Sequence, residues 1–142
     1  QLLARCRSFC IKKLNEYGEN QDKFSMIHAD LHPGNLMVTH LGLVIIDFDD
    51  AGYGWHVYDL AVAVSQYQEH ENYSAIRQAL INGYLTIRSL TDQDLQMLDV
   101  LALVRSLVLI GWVDSRSEID HGEYLDLLLL RVKNSQNILE GL

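Results

Sequence analysis

The apolar positions of the chain follow two different periods, and the changes between them mark out its elements. Over residues 2–17, Leu3, Phe9 with Cys10, Leu14 and Tyr17 recur near helical spacing, which predicts an amphipathic helix. Gly18-Glu19-Asn20-Gln21-Asp22 breaks it. Two short β-prone runs follow, Leu36-Met37-Val38-Thr39 and Leu43-Val44-Ile45-Ile46, with His40-Leu41-Gly42 as the turn of a hairpin. Residues 47–56 combine Gly, Asp and aromatic side chains and predict a loop.

From Val57 onward the period is helical. Residues 58–67 carry Leu60, Ala61 and Val64 along one side, and residues 73–90 place Ile76, Leu80, Tyr84 and Ile87 three or four apart. Thr91-Asp92-Gln93-Asp94 reads as an N-cap with an acid three residues on. It opens a helix striped by Met97, Leu101, Val104, Val108 and Gly111. A last helix over residues 118–139 turns Leu125, Leu128, Leu129 and Val132 inward. There is no repeat, low-complexity tract or linker, so residues 1–142 are expected to form a single domain. Its class is α+β and mainly helical: one helix, a β-hairpin bearing loops, then a bundle of three to four helices.

Composition adds exclusions. With 49% hydrophobic residues, 21% charged and one Pro in 142, the chain can bury a core and is not disordered. Its longest unbroken apolar run, Leu107 to Val113, falls short of the roughly 20 residues of a bilayer span, so no membrane partner is expected. The start, Gln1-Leu2-Leu3-Ala4-Arg5, lacks the apolar core of a signal peptide and an initiator Met, and a longer parent chain is expected. A formal charge of −8 argues against nucleic acid as a partner. Cys6 and Cys10 share one helical face and read as core thiols. Together with the missing targeting segment they point to a reducing, cytoplasmic location.

The charge distribution locates the chemistry. Between Lys23 and Arg77 there is no Lys or Arg, while seven acids occur: Asp30, Asp47, Asp49, Asp50, Asp59, Glu69 and Glu71. Within this stretch lies His28-Ala29-Asp30-Leu31-His32-Pro33-Gly34-Asn35, then the hairpin, then Asp47-Phe48-Asp49-Asp50. A loop across Pro33-Gly34 can turn Asp30 and Asn35 toward one point. Hairpin pairing brings Asp47 back beside Asn35. Two carboxylates and a carboxamide are hard oxygen donors, a set that suits Mg²⁺ together with substrate phosphates.

The pattern His28-x-Asp30-x-x-x-x-Asn35 followed by Asp47-Phe48 resembles the catalytic-loop and metal-loop pair of the protein-kinase-like fold. The fuller segments HADLHPGNLMV, VIIDFDDAGYG and YDLA are similar to the aminoglycoside phosphotransferase and choline-kinase-like branch, whose members phosphorylate hydroxyls of small molecules. The resemblance implies Asp30 as the catalytic carboxylate that orients the attacking hydroxyl. It implies Asn35 and Asp47 as Mg²⁺ ligands, with ATP or GTP as phosphate donor. His28 and Asp59 match positions that support the site structurally. His32 matches a position that approaches the transferred phosphate.

The branch also needs an N-terminal lobe with a glycine-rich turn and a phosphate-binding Lys, and nothing ahead of His28 supplies either. The chain is therefore expected to be a C-terminal catalytic lobe, inactive alone, with an uncovered surface near His32 and residues 47–54. Trp112, Asp114, Glu118, Asp120 and Glu123 gather at one helix junction. Acids there suit a cationic acceptor, and Trp112 offers a cation–π face. Two other readings stand beside the kinase: a non-catalytic pseudokinase-type binding module, and a metal-dependent hydrolase using His28, Asp30 and His32 in strand alternation with Asp47.

Overall fold

The computed structural model describes residues 1–116, 118 and 122–135. In chain order these form α1 (Leu2–Tyr17), β1 (Phe24–Ile27), β2 (Leu36–Thr39), β3 (Gly42–Ile45), β4 (Gly52–Trp55), α2 (His56–Ser65), α3 (Tyr73–Leu85), α4 (Asp92–Asp114) and α5 (Gly122–Asn134). The described residues form two compact units, one from residues 19–98 and one from residues 1–18 with the described residues from 99 onward.

In the second of these units α1 packs on α5. The inward face of α1 is set by Cys6, Cys10 and Tyr17, while Leu3 is exposed. On α5, Leu128 and Val132 are fully buried one turn apart, with Arg131 beside them. Leu129, expected inward, is exposed, because a one-residue step rotates it about 100° off that stripe. Residues 136–139 of the expected last helix lie outside the described residues.

Both cysteines are free and buried. Burial, and then the neighbouring Cys6, pushes the Cys10 thiol up to about 12. Burial raises Cys6 as well. Only thiolates attack disulfide reagents, so neither thiol should react with a chromogenic aromatic disulfide at neutral pH until denaturant is added. Rapid reaction in the native state would contradict this packing.

Residues 19–98 hold β1–β4, α2, α3 and the start of α4, which continues into the other unit. The strands β2 and β3 form an antiparallel hairpin with Leu36 opposite Ile45 and Thr39 opposite Gly42, closed by His40-Leu41. Gly42 starts β3 with φ 114, a conformation that favours glycine. A second antiparallel pair, β1 with β4, occupies part of the expected 47–56 loop. The glycines that suggested a loop are required by close approach instead. Ser25 lies opposite Gly54, and a Cβ on Gly54 would run into the Ile27 side chain. The cross-strand pair Phe24–Trp55 packs ring edge to face with centroids 5.2 Å apart.

This ribbon packs on α2, and α2 packs on α3. Val57, Leu60, Ala61, Val62, Val64 and Ser65 of α2 are all buried, as expected of a helix covered on most sides. Between the hairpin and the two helices lies an apolar cavity of about 240 Å³, with Leu31, Leu36, Ile45, Val64, Tyr67 and Leu80 in its walls.

Helix α3 stops at Leu85, earlier than the periodicity predicts, and Ile87 is 90% exposed. The Thr86 hydroxyl donates to the Gly83 carbonyl at 2.7 Å, and the backbone tightens to three-residue turns there. The cap of α4 is reciprocal. Asp94 N–H donates to Thr91 Oγ1 at 3.1 Å, and Asp94 Oδ2 accepts from Thr91 N–H at 2.7 Å. The middle of α4 has no single stripe: Leu98, Val100, Leu101, Ala102 and Leu103 are all buried, and Val108, expected inward, is exposed. By length and composition this 23-residue helix is long and apolar enough to cross a membrane, contrary to the expectation from its longest unbroken apolar run. Its extensively buried middle is what a core helix shows as well.

Candidate functional site

The site is assembled from backbone hydrogen bonds before any side chain faces solvent. Strand β1 ends at Ile27. The next two N–H groups, of His28 and Ala29, donate to Oδ2 and Oδ1 of Asp59 at 2.9 and 2.8 Å. Asp59 lies in the first turn of α2, so a carboxylate on a packed helix holds the loop at two points. Ala29 takes φ 66, a left-handed value that a non-glycine residue adopts only under constraint.

The buried His28 ring links this loop to the strand leading to Asp47. It donates from Nε2 to the Ile46 carbonyl at 2.9 Å, and its Nδ1 accepts from the Asp30 N–H at 3.3 Å. Phe48 lies against the same ring, centroids 4.7 Å apart. The imidazole thereby spans 18 residues of sequence to join the two halves of the site.

Asp30 and Asn35 meet across the loop. The Asn35 carboxamide donates from Nδ2 to the Asp30 carbonyl at 2.9 Å and lies 3.4 Å from Asp30 Oδ2. This use of its nitrogen turns the amide oxygen the other way. Asn35 is buried and closes the short 3₁₀ turn Pro33–Asn35, for which His32 is the N-cap. Ile46 N–H donates to the Asn35 carbonyl at 3.0 Å, and this brings the adjacent Asp47 to the same end of the hairpin. Asp47 is exposed and has φ 64, a conformation that Asp tolerates better than most residues.

His32 Nε2 stands 3.4 Å from Asp30 Oδ2. Asp49 and Asp50 are exposed. The strand alternation assumed for a hydrolase site is absent, because Ala29 breaks the extended run and His28 is committed to Ile46 and Asp30. Among the described residues no three His, Cys, Asp or Glu side chains cluster closely enough to hold a metal. The Asn35 amide and the Asp47 carboxylate are hard oxygen donors, the kind that Mg²⁺ takes together with phosphate and water.

The residues around the α4–α5 junction belong to the other unit. Trp112 is 42% exposed, and the Arg116 guanidinium lies over its ring at 4.2 Å, so the protein's own cation uses that face. Asp114, Glu118 and Glu123 are exposed, and Asp120 lies outside the described residues. Sequence reasoning missed two contributors to the site, the left-handed Ala29 and the Ile46 carbonyl. It read Gly34 as part of the loop break, and the structure adds that a Cβ there would sit 2.7 Å from His32 Cε1.

Residues 2–98 match the phosphotransferase enzyme family. The chain is 38% identical over 52 residues to the amicoumacin kinase of Bacillus subtilis (strain 168), covering 37% of this chain and 16% of that protein. It is 37% identical over 95 residues to an uncharacterized protein of Deinococcus radiodurans, covering 63% of this chain and 28% of the other. Among solved structures, a microcompartment-associated aminopropanol kinase aligns with a TM-score of 0.81 at 31% identity, over 99% of this chain and 45% of its own. The amicoumacin kinase hAmiN, in complex with AMP-PNP, Ca²⁺ and Ami, aligns with a TM-score of 0.76 at 20% identity, over 99% of this chain and 44% of its own. The chain thus spans less than half the length of these relatives.

Proposed function

The chain belongs to the phosphotransferase enzyme family and has its mainly helical α+β fold, and from that premise we propose that it is the catalytic lobe of a small-molecule kinase. The reaction is transfer of the γ-phosphate of ATP to a hydroxyl, with Mg²⁺. One observation carries this reading: Asp30, Asn35 and Asp47 are brought to one end of a hairpin by hydrogen bonds that the Asp59 carboxylate and the Asn35 carbonyl accept and that the His28 ring donates to Ile46.

Asn35 and Asp47 would hold the Mg²⁺, which supplies charge neutralisation on the nucleotide phosphates. Asp30 accepts a hydrogen bond from the acceptor hydroxyl and orients its oxygen for attack. His28 and Asp59 fix the backbone on which Asp30 stands, and His32 lies where the transferred phosphate passes. Positioning of this kind suits phosphoryl transfer, whose loose transition state asks little covalent chemistry of the protein. An acceptor that carries an amine is the class to test first, since one related structure is that of an aminopropanol kinase.

A nucleotide-binding lobe completes the enzyme. The hairpin supports this, since Val38, Leu41 and Leu43 are 86, 85 and 68% exposed, and Phe48 and Tyr53 are exposed as well. Apolar surface of that extent is seldom left to water. The test is a phosphotransfer assay with ATP, Mg²⁺ and a panel of amino alcohols and aminoglycosides. The whole protein, comprising this lobe and the nucleotide-binding lobe, should turn over. The 142-residue chain alone should unfold cooperatively on heating yet show no turnover. Robust turnover by the chain alone would remove the second lobe from the reading. Nucleotide binding without transfer to any hydroxyl by the whole protein would favour a pseudokinase-type binding module.

A further inference from the structure

We propose that His32 is a positioning residue for Asp30: its imidazole, anchored through Nδ1 by the Gly34 backbone, presents Nε2 to the Asp30 carboxylate and fixes its rotation. The inference rests on the phosphotransfer reading and adds a residue to its machinery. The Gly34 N–H donates to His32 Nδ1 at 3.0 Å. A nitrogen that accepts carries no proton, so the neutral ring must carry its proton on Nε2. That atom stands 3.4 Å from Asp30 Oδ2.

The Asn35 Nδ2 group lies at the same distance, 3.4 Å, from the same oxygen. A hydrogen bond from Asn35 and the facing His32 Nε2 thus border the same Oδ2 from different residues, and together they would set the carboxylate about its Cβ–Cγ bond. Both the His32 and the Asp30 side chains are mostly shielded, 24% and 20% exposed. Contacts of this kind are often long in unliganded sites and shorten when substrate binds.

The neighbouring glycine follows from the same ring. A Cβ on Gly34 would sit 2.7 Å from Cε1 and 2.9 Å from Nδ1 of His32. Any larger residue would push the imidazole off the N–H that fixes its tautomer. The backbone therefore orients the ring, and the ring orients the carboxylate. The competing explanation is that His32 only caps the turn, a task that needs Nδ1 and makes no use of Nε2.

Two substitutions separate these roles in the whole protein. His32→Asn keeps an acceptor for Gly34 N–H, since an Asn Oδ1 makes the same contact two residues on, and it lacks the Nε2–H. His32→Gln reaches toward Asp30 with an N–H and gives up the cap. The Asn variant should lose on the order of 10²-fold in kcat, the cost of a misplaced reacting group, with the nucleotide KM unchanged. The Gln variant, which restores the N–H without the cap that aims it, should recover part of it, and no recovery at all would count against the N–H contact.

Long-range ¹H–¹⁵N spectra of the 142-residue chain should show His32 protonated on Nε2 and bare on Nδ1. An Nδ1–H tautomer, or wild-type kcat in His32→Asn, would overturn the positioning role. A wild-type whole protein that transfers no phosphate would bring down the kinase reading itself, so the two failures are distinguishable.

Discussion

Replacing Asp30 by Ala in the whole protein is expected to lower kcat by about 10²–10⁴-fold, the range for an orienting or general-base group, while nucleotide binding survives. The division follows from how the loop is held. The Asp30 main chain is fixed independently of its side chain: its carbonyl accepts from His32 N–H at 2.8 Å and from Asn35 Nδ2 at 2.9 Å, and its N–H donates to His28 Nδ1. The preceding N–H groups are bound by Asp59. Removing the carboxylate therefore leaves the loop in place, and with it Asn35 and the hairpin that carries Asp47. Turnover and nucleotide affinity measured on the same variant test this. Wild-type turnover in Asp30→Ala would end the catalytic assignment, and loss of nucleotide binding would mean that Asp30 belongs to the metal site.

Much of this architecture was legible in the residues, for reasons that differ from place to place. The hairpin was readable because Leu36–Thr39 and Leu43–Ile46 are apolar runs around a short turn, and sheet pairing then brings Asn35 and Asp47 to the same end of it, Asn35 bonding Ile46. The α4 cap was readable because Thr91 and Asp94 stand at the spacing that lets each bond the other's backbone. Strand β4 was not readable. Its glycines carry opposite meanings in a loop and in a tight strand crossing, and only the Ile27 side chain facing Gly54 decides between them. The left-handed turn at Ala29 left no signal, because alanine has no preference for that conformation and the constraint comes from Asp59, 30 residues away. Helical stripes failed where burial is nearly uniform, as in the middle of α4, since a helix covered on all sides has no preferred face to read.

Asp47→Asn should abolish metal-dependent nucleotide binding more severely than Asn35→Ala. Asn is the informative replacement at position 47, because it tolerates the φ of 64 as Asp does and keeps the size of the side chain. What is lost is then the charge. Two unit charges 4 Å apart interact by about 4 kcal/mol in a surface-like dielectric, and a divalent ion feels more. Each ~1.4 kcal/mol is tenfold in affinity, so a loss on the order of a hundredfold or more is expected. Asn35→Ala removes a neutral donor oxygen, and the carboxylate at position 47 remains. It also frees the Asp30 carbonyl and carboxylate from the carboxamide that ties them, so this variant should lose kcat in addition to a smaller part of its metal affinity. Titrating Mg²⁺ and a non-hydrolysable ATP analogue into each whole-protein variant distinguishes the two. Normal, equal affinities in both would remove the metal site from these residues, and a larger loss in Asn35→Ala would move the principal ligand from Asp47 to the catalytic loop.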